Sequence, residues 1–391
     1  MPGFSSSLRR EAGRLAGQPW ELAMVSWVPA LAVALLWWIF SAGLPTQLPI
    51  GVLDEDHSAL SRQLVRWLDA TPGLRVAERY ADAAEMQAAL RAGRVQAAVA
   101  LPRGLAREVK QGRTGQAVLL DNAQFGTHSS LIQRDVRTVV GTLSAGIELG
   151  VRNKRGQSPA AARAAQEPLR ASMVALFNTA TDYERFLGAA LIPAALHILA
   201  MTAGAWAVGR ELRDRSLGGW LGARPTVAEA LAALAGKLAA AWAPLAAVGL
   251  LGLLWITAGR GWRPAGSLGW TLAALAIFLA LSVAMGAFCA AATRSLRTAL
   301  SATGFITAPA FAFGGMGFPL LAMPPLARLW ALALPYTHYA RVQTEQLLMG
   351  APLPLSLAAP LWMLLATAAL LAASAWLLRR AAGEPATWGK R

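Results

Sequence analysis

The sequence predicts an α-helical polytopic membrane protein with six transmembrane helices and an extracytoplasmic α/β insert between the first and second. Three observations carry that prediction. The 391 residues are 55% hydrophobic and only 15% charged, a balance that belongs to integral membrane proteins. Six charge-free runs lie near residues 22–44, 186–208, 238–259, 268–292, 299–321 and 355–378, and each reaches the roughly 20 apolar residues that a bilayer-crossing helix needs. Between the first two runs, residues 45–185 have the composition of a soluble protein.

Taken in order, the chain opens with Arg9, Arg10 and Arg14 ahead of the first span, placed at 21–44. That run is too long for a typical signal-peptide core and reads as an uncleaved anchor, although "FSAGLP" offers the small residues a cleavage site would use. The 45–185 insert begins with alternating elements. They are strand "PIGVLD", helix "SALSRQLVRWLDA", strand "LRVAERY", helix "DAAEMQAALRAG", strand "VQAAVALP", helix "RGLAREVKQG" and strand "QAVLLD". Leu60, Leu64, Trp67 and Leu68 recur at helical spacing and Ser58 can cap that helix, which makes a small α/β module. Farther on, Ile132, Val136, Val139, Leu143 and Ile147 form the stripe of a long helix, most simply packed on its own domain and otherwise against a partner helix. Pro159 and Pro168 break the chain after it.

Residues 186–378 hold helices 2–6, and 379–391 a short tail. Basic groups cluster at the N-terminus, at 210–224, at Arg294 and Arg297, and at Arg379, Arg380, Lys390 and Arg391. If the spans alternate, all four groups fall on one side, which the positive-inside rule makes cytoplasmic. Both termini are then cytoplasmic and the insert is outside. Trp206 and other tryptophans in or beside the spans read as an interfacial belt.

Several chemistries are missing. The net charge of +15 flanks apolar runs instead of forming a continuous basic patch, so nucleic acid is not an expected partner. No G-x-x-x-x-G-K-[ST] loop occurs, and the Gly-Lys pairs at 236–237 and 389–390 lack its other residues. His57, His128, His197 and His338 show no metal-ligand spacing. Cys289, the single cysteine, permits no internal disulfide. His197, deep in a span, reads most simply as a neutral imidazole bonded to a neighbouring helix. From residue 230 onward only Glu345 and Glu384 are acidic, so no mid-span carboxylate offers the ion site of a gradient-driven carrier. The chain is expected to be no enzyme and to hold no cofactor or metal. Power for any movement of cargo would come from outside the polypeptide.

The arrangement of one span, an outer α/β insert and five further spans resembles the permease subunits of ABC-2 type transporters. The N-terminal "LRREAGRLAGQPW" is similar to that family's basic amphipathic helix, a cytoplasmic element at 1–20. Phe4, Leu8 and Leu15 fall near one face, opposite the arginines. "PIGVLDEDHSALSRQLVRWLDA", "VQAAVALPRGLAREVKQG" and "LLDNAQ" are similar to the segments opening its insert. "RELRDRSLGGWLGARPTVAEALAALAGKL" looks like its cytoplasmic coupling loop, here 209–232 and the start of the next helix. Arg210, Glu211, Arg213, Asp214, Pro225 and Lys237 keep the pattern, and Ser216-Leu217 departs from it. "FAFGGMGFPLLAMPPLARLWALALPYTHYARVQTEQLLMGAP" is similar to its external re-entrant region, 318–350 with the residues just before it. Gly314, Gly315, Gly317, Pro319, Pro324, Pro325, Pro335, Tyr336, Tyr339 and Arg341 would form a lined pathway or outer gate there. A plain hairpin with a snorkelling arginine explains the same residues.

The resemblance implies the permease subunit of an ATP-binding-cassette transporter, most simply an exporter of hydrophobic or amphipathic compounds such as drugs or lipids. It would sit in a bacterial cytoplasmic (inner) membrane. Its partners would be an ABC ATPase that binds ATP and Mg, a second permease chain (identical or paralogous), the lipid membrane and a periplasmic adaptor protein. The charges at 210–224 would dock the ATPase, since complementary charge fixes register; a solvated loop obeying the positive-inside bias is the plainer reading. A mechanotransmitting ABC subunit and an ATP-independent carrier or channel are the alternative functions.

Overall fold

The computed structural model describes residues 3–122, 126–154 and 182–388. The elements, in chain order, begin with helices α1 (Phe4–Gly17), α2 (Pro19–Val25) and α3 (Trp27–Phe40). Then come β1 (Leu48–Asp54), α4 (Ala59–Asp69), β2 (Leu74–Tyr80), α5 (Ala83–Arg91), β3 (Ala97–Leu101), α6 (Leu105–Lys110), β4 (Val118–Asp121) and α7 (Gly126–Lys154). The remainder is helical: α8 (Ala189–Arg213), α9 (Leu217–Leu221), α10 (Val227–Leu254), α11 (Leu268–Thr293), α12 (Leu296–Thr307), α13 (Ala310–Phe313), α14 (Pro325–Ala333), α15 (Pro335–Gln343) and α16 (Ala358–Ala382). The chain divides into two compact units, Met1–Gly43 with Ala175–Arg391, and Leu44–Val174.

In the second unit the sheet order is β2-β1-β3-β4, parallel except for the β3–β4 pair. All seven elements expected for the start of the insert are present, each within a few residues. Ser58 caps α4 by accepting from the Ser61 amide, and Asp82 caps α5 through the Glu85 amide. Ile132, Val136, Val139 and Leu143 on α7 are buried, and α7 packs on α4. The breaks expected at Pro159 and Pro168 lie outside the described residues. Asp56, in the loop after β1, accepts from the amides of Gly104 (2.9 Å) and Ala106 (3.1 Å) and so ties the carboxyl ends of β1 and β3 together.

In the first unit, five helices among the described residues are long and apolar enough to cross a membrane: Pro19–Phe40, Glu184–Arg213, Val227–Gly259, Leu268–Thr293 and Leu353–Ala382. The third begins at Val227, earlier than the expected 238, because Thr226 and Glu229 form a capping box and Lys237 is buried inside the helix instead of marking its end. The fifth run, expected as one span at 299–321, is broken into α12 and α13. Pro309 interrupts the helix, and the chain leaves it at Gly314-Gly315, where Gly315 takes φ +84.

The core of this unit forms around α8, which packs on α11, α12, α10 and α3. Helix association within a bilayer lacks a hydrophobic drive, so close backbone approach matters. The α8–α11 contact supplies it reciprocally. A Cβ on Gly204 would meet the Val283 carbonyl oxygen at 1.9 Å, and one on Gly286 would meet that of Met201 at 1.9 Å. Beside this contact, His197 is fully buried, with Nδ1 2.8 Å from Ser282 Oγ. Ser282 Oγ donates its proton to the Phe278 carbonyl (2.8 Å). His197 Nδ1–H must therefore be the donor to Ser282, which fixes one neutral tautomer.

Candidate functional site

α1 carries one carboxylate, Glu11, into the bundle. Its buried face is Ser7, Glu11 and Leu15, one helical turn apart. This differs from the expected interfacial helix with Phe4, Leu8 and Leu15 on its apolar face: Phe4 is half-exposed, and Arg10 and Arg14 reach protein carboxylates. The reason lies on α10. Gly236 lets α1 approach so closely that a Cβ there would stand 2.1 Å from the Phe4 carbonyl oxygen. Trp220 of α9 donates to Ser7 Oγ at 3.0 Å.

Three charges meet under α1. Glu11 binds Lys237 Nζ at 2.5 Å and also pairs with Arg210. Lys237 reaches Glu211 at 2.7 Å and lies 4.8 Å from the centre of the Trp220 ring. Arg210 pairs further with Glu21 of α2. Glu211 accepts from Arg10 at 3.2 Å, from Arg14 at 3.3 Å and from the Ser216 hydroxyl. Arg210 and Glu211 are 0% exposed and Lys237 1%, so this is a desolvated network. Charges so buried persist only when each has partners.

This corrects the reading of the 210–224 segment as one charged surface. Arg210, Glu211 and Lys237 face inward. Arg213, Asp214, Arg215 and Arg224 are exposed, and Pro225 is buried ahead of the α10 cap. Arg213 Nε donates to Asp214 at 2.7 Å, and that bond, aided by Arg14 at 3.2 Å, holds the Asp214 carboxyl below the usual range. Arg10, Arg14, Glu11, Glu21 and Gly236 were not singled out by sequence reasoning as parts of this site. The available signal was that Glu11 and Glu21 are the acidic residues flanking the start of the first span.

The re-entrant residues divide as well. Gly314 lies under the Tyr336 ring, where a Cβ would be 2.2 Å from a ring carbon. Pro335 starts α15; Tyr336 donates to the Ala190 carbonyl at 3.0 Å, and Tyr339 stacks on Phe278 with centroids 4.9 Å apart. These residues bind α15 to α8 and α11. Gln343, missed in the sequence, donates to the Ala189 carbonyl at 2.6 Å. Pro193 has no N–H to give that carbonyl four residues back, so Gln343 supplies the missing donor. In contrast, Gly317, Pro319, Pro324 and Pro325 are exposed, and Arg341 is an exposed side chain paired with Glu345 at 2.7 Å.

The family model described as "ABC-2 family transporter protein" matches residues 19–377. Comparisons with curated proteins and with solved structures found no match. Five long apolar helices and a match across most of the sequence agree, and the chain belongs to the ABC-2 family of transporter proteins.

Proposed function

We propose that this membrane component of an ABC transporter is the permease of an exporter for hydrophobic or amphipathic compounds, driven by a separate ATPase. The observation that carries this reading is the buried charge network joining α1 to the inner ends of α8 and α10. A force applied to α1 or to the 213–224 surface passes into two spans without slack, because separating any one charge leaves its partners desolvated and unpaired. Arg213, Asp214, Arg215 and Arg224 remain exposed for a charged partner, and complementary charge fixes such a contact.

In this reading Arg210, Glu211, Lys237 and Glu11 transmit and the exposed charges dock. Pro225 sets the start of the receiving helix. The partner ATPase binds ATP and Mg. Two permease chains, identical or paralogous, enclose the route in the inner membrane of a bacterium, and a periplasmic adaptor meets the outer α/β unit. The broken α12–α13 run makes the fifth of six crossings, and Gly314 under Tyr336 is the hinge of the outer gate.

The test separates docking from transmission. Arg213→Glu with Asp214→Lys is expected to lower co-purification of the ATPase; Lys237→Met should leave co-purification intact while export falls. Unchanged ATPase binding and export in both variants would overturn the assignment. Export from proteoliposomes without any ATPase would favour a carrier instead.

A further inference from the structure

α2, α8 and α12 wall a cavity of about 340 Å³ beside the charge network, within the roughly 300–1,000 Å³ range of small-molecule sites. Its body is apolar, with Met24, Leu199 and Leu300 among the lining side chains, and two indoles, Trp20 and Trp206, contribute to the wall. Trp20 is 79% exposed, at the rim. The charged groups that reach it are both acidic: Glu11 and Glu21. Neither a lysine nor an arginine lines it among the described residues; Arg210 pairs with these two carboxylates. The Trp206 ring already takes the Arg213 guanidinium at 5.2 Å from its centre.

We propose that this cavity binds an amphipathic cation, with its apolar body against the aliphatic wall and its charge toward Glu21 and the indoles. Carboxylates and indole faces both attract positive charge, and more strongly where water is scarce. A neutral lipid chain would find the apolar wall but no use for the carboxylates, and an anion would find no cationic side chain in that wall among the described residues. Glu21 is at once a wall of the cavity and a partner of Arg210. A bound cation therefore competes for the carboxylate that anchors the network, and occupancy of the cavity is linked to the elements that receive the ATPase's push. The inference deepens the exporter reading and rests on it only for the direction of movement.

Binding is measured without any ATPase, on the purified full chain in nanodiscs of neutral lipid, by equilibrium dialysis with radiolabelled tetraphenylphosphonium. Tetraphenylborate, of the same shape and opposite charge, is radiolabelled and measured in a separate cell, each ion being corrected for its uptake by empty nanodiscs. Saturable binding of tetraphenylphosphonium and none of tetraphenylborate is expected. Glu21→Gln should weaken it about tenfold, the loss of one partly desolvated charge contact. Ala203→Trp, which fills the cavity, should abolish it, and Glu229→Gln, away from the cavity, should leave it unchanged. Because Glu21 also holds Arg210, Trp206→Leu is measured alongside: it keeps both carboxylates, removes an indole face and should weaken binding several-fold. Equal saturable binding of tetraphenylborate, or tetraphenylphosphonium binding unaltered in Glu21→Gln, Trp206→Leu and Ala203→Trp, overturns the proposal. So does a shift of Ala203→Trp from dimer to monomer in gel filtration, which would give the cavity to a second copy of the chain. Failure here leaves ATP-driven export standing, whereas loss of ATPase coupling with binding intact strikes only the latter.

Discussion

Lys237 sits at the centre of the charge network, with Glu11 at 2.5 Å and Glu211 at 2.7 Å. Replacing it with Met keeps the volume and takes one cation from each of two buried carboxylates, leaving Glu11 with Arg210 and Glu211 with Arg10 and Arg14, a loss of about 3 kcal/mol. Thermal unfolding of the detergent-solubilised chain should show a clearly lowered midpoint, and Glu11→Gln a comparable one. The double variant should lose less than the sum of the two, because the second change removes a charge from which the first had already taken a partner. Asp56 gives a second residue-scale expectation. Burial alone would raise its pKa, but hydrogen bonds from Ser58 and from the amides of Ala106 and Gly104 outweigh that and hold it below the usual 3.8. A depressed carboxyl contributes stability above its unfolded value, and that contribution is lost as pH falls through the lower folded value. Asp56→Asn should therefore cost about 1–2 kcal/mol near neutral pH. In scanning calorimetry of the intact chain, the difference from the parent should shrink as the pH falls below 3.8.

Among elements, the α8–α11 pair depends on two glycines that face each other's backbone carbonyls at 1.9 Å from a notional Cβ. Gly286→Val cannot fit without separating the helices, and a destabilisation of about 3 kcal/mol or more is expected from lost packing along the pair. Gly304→Ala is the control. Nothing lies within 4 Å of a Cβ there, and the change should stabilise α12 by up to about 1 kcal/mol. Gln343→Leu tests the contact between α15 and the kinked start of α8. It leaves the Ala189 carbonyl without a donor, at a cost of about 1–3 kcal/mol, visible as faster hydrogen exchange in the first turns of α8. The insert's elements were legible in the sequence because each is short and locally signalled, as by the helical spacing of Leu60, Leu64, Trp67 and Leu68 and by Ser58 as a cap. The broken fifth run was legible only in part. Its Gly and Pro residues were evident, but the pairing of Gly314 with Tyr336 joins positions whose contact no local periodicity encodes.

For the molecule as a whole, the proposed crossing by α12–α13 would put the 213–224 surface and the α14 region on opposite sides of the membrane, whereas the five long apolar helices alone would put them on the same side. In a Cys289→Ala background, a cysteine at Arg213 should react with an impermeant thiol reagent only from the cytoplasmic side, and one at Leu326 only from outside. Labelling of both from one side would remove the crossing by α12–α13. The apolar runs, the positive-inside bias and the order of the insert's strands and helices are local or statistical properties, and composition alone determined them. The fate of the charges was not local. Arg210 meets Glu11 across 199 residues and Lys237 meets it across 226, so whether each would be a solvated surface group or a buried partner was decided only when α1 folded onto Gly236. Chain folding alone brings such distant groups within the few ångströms at which opposite charges can offset their own desolvation.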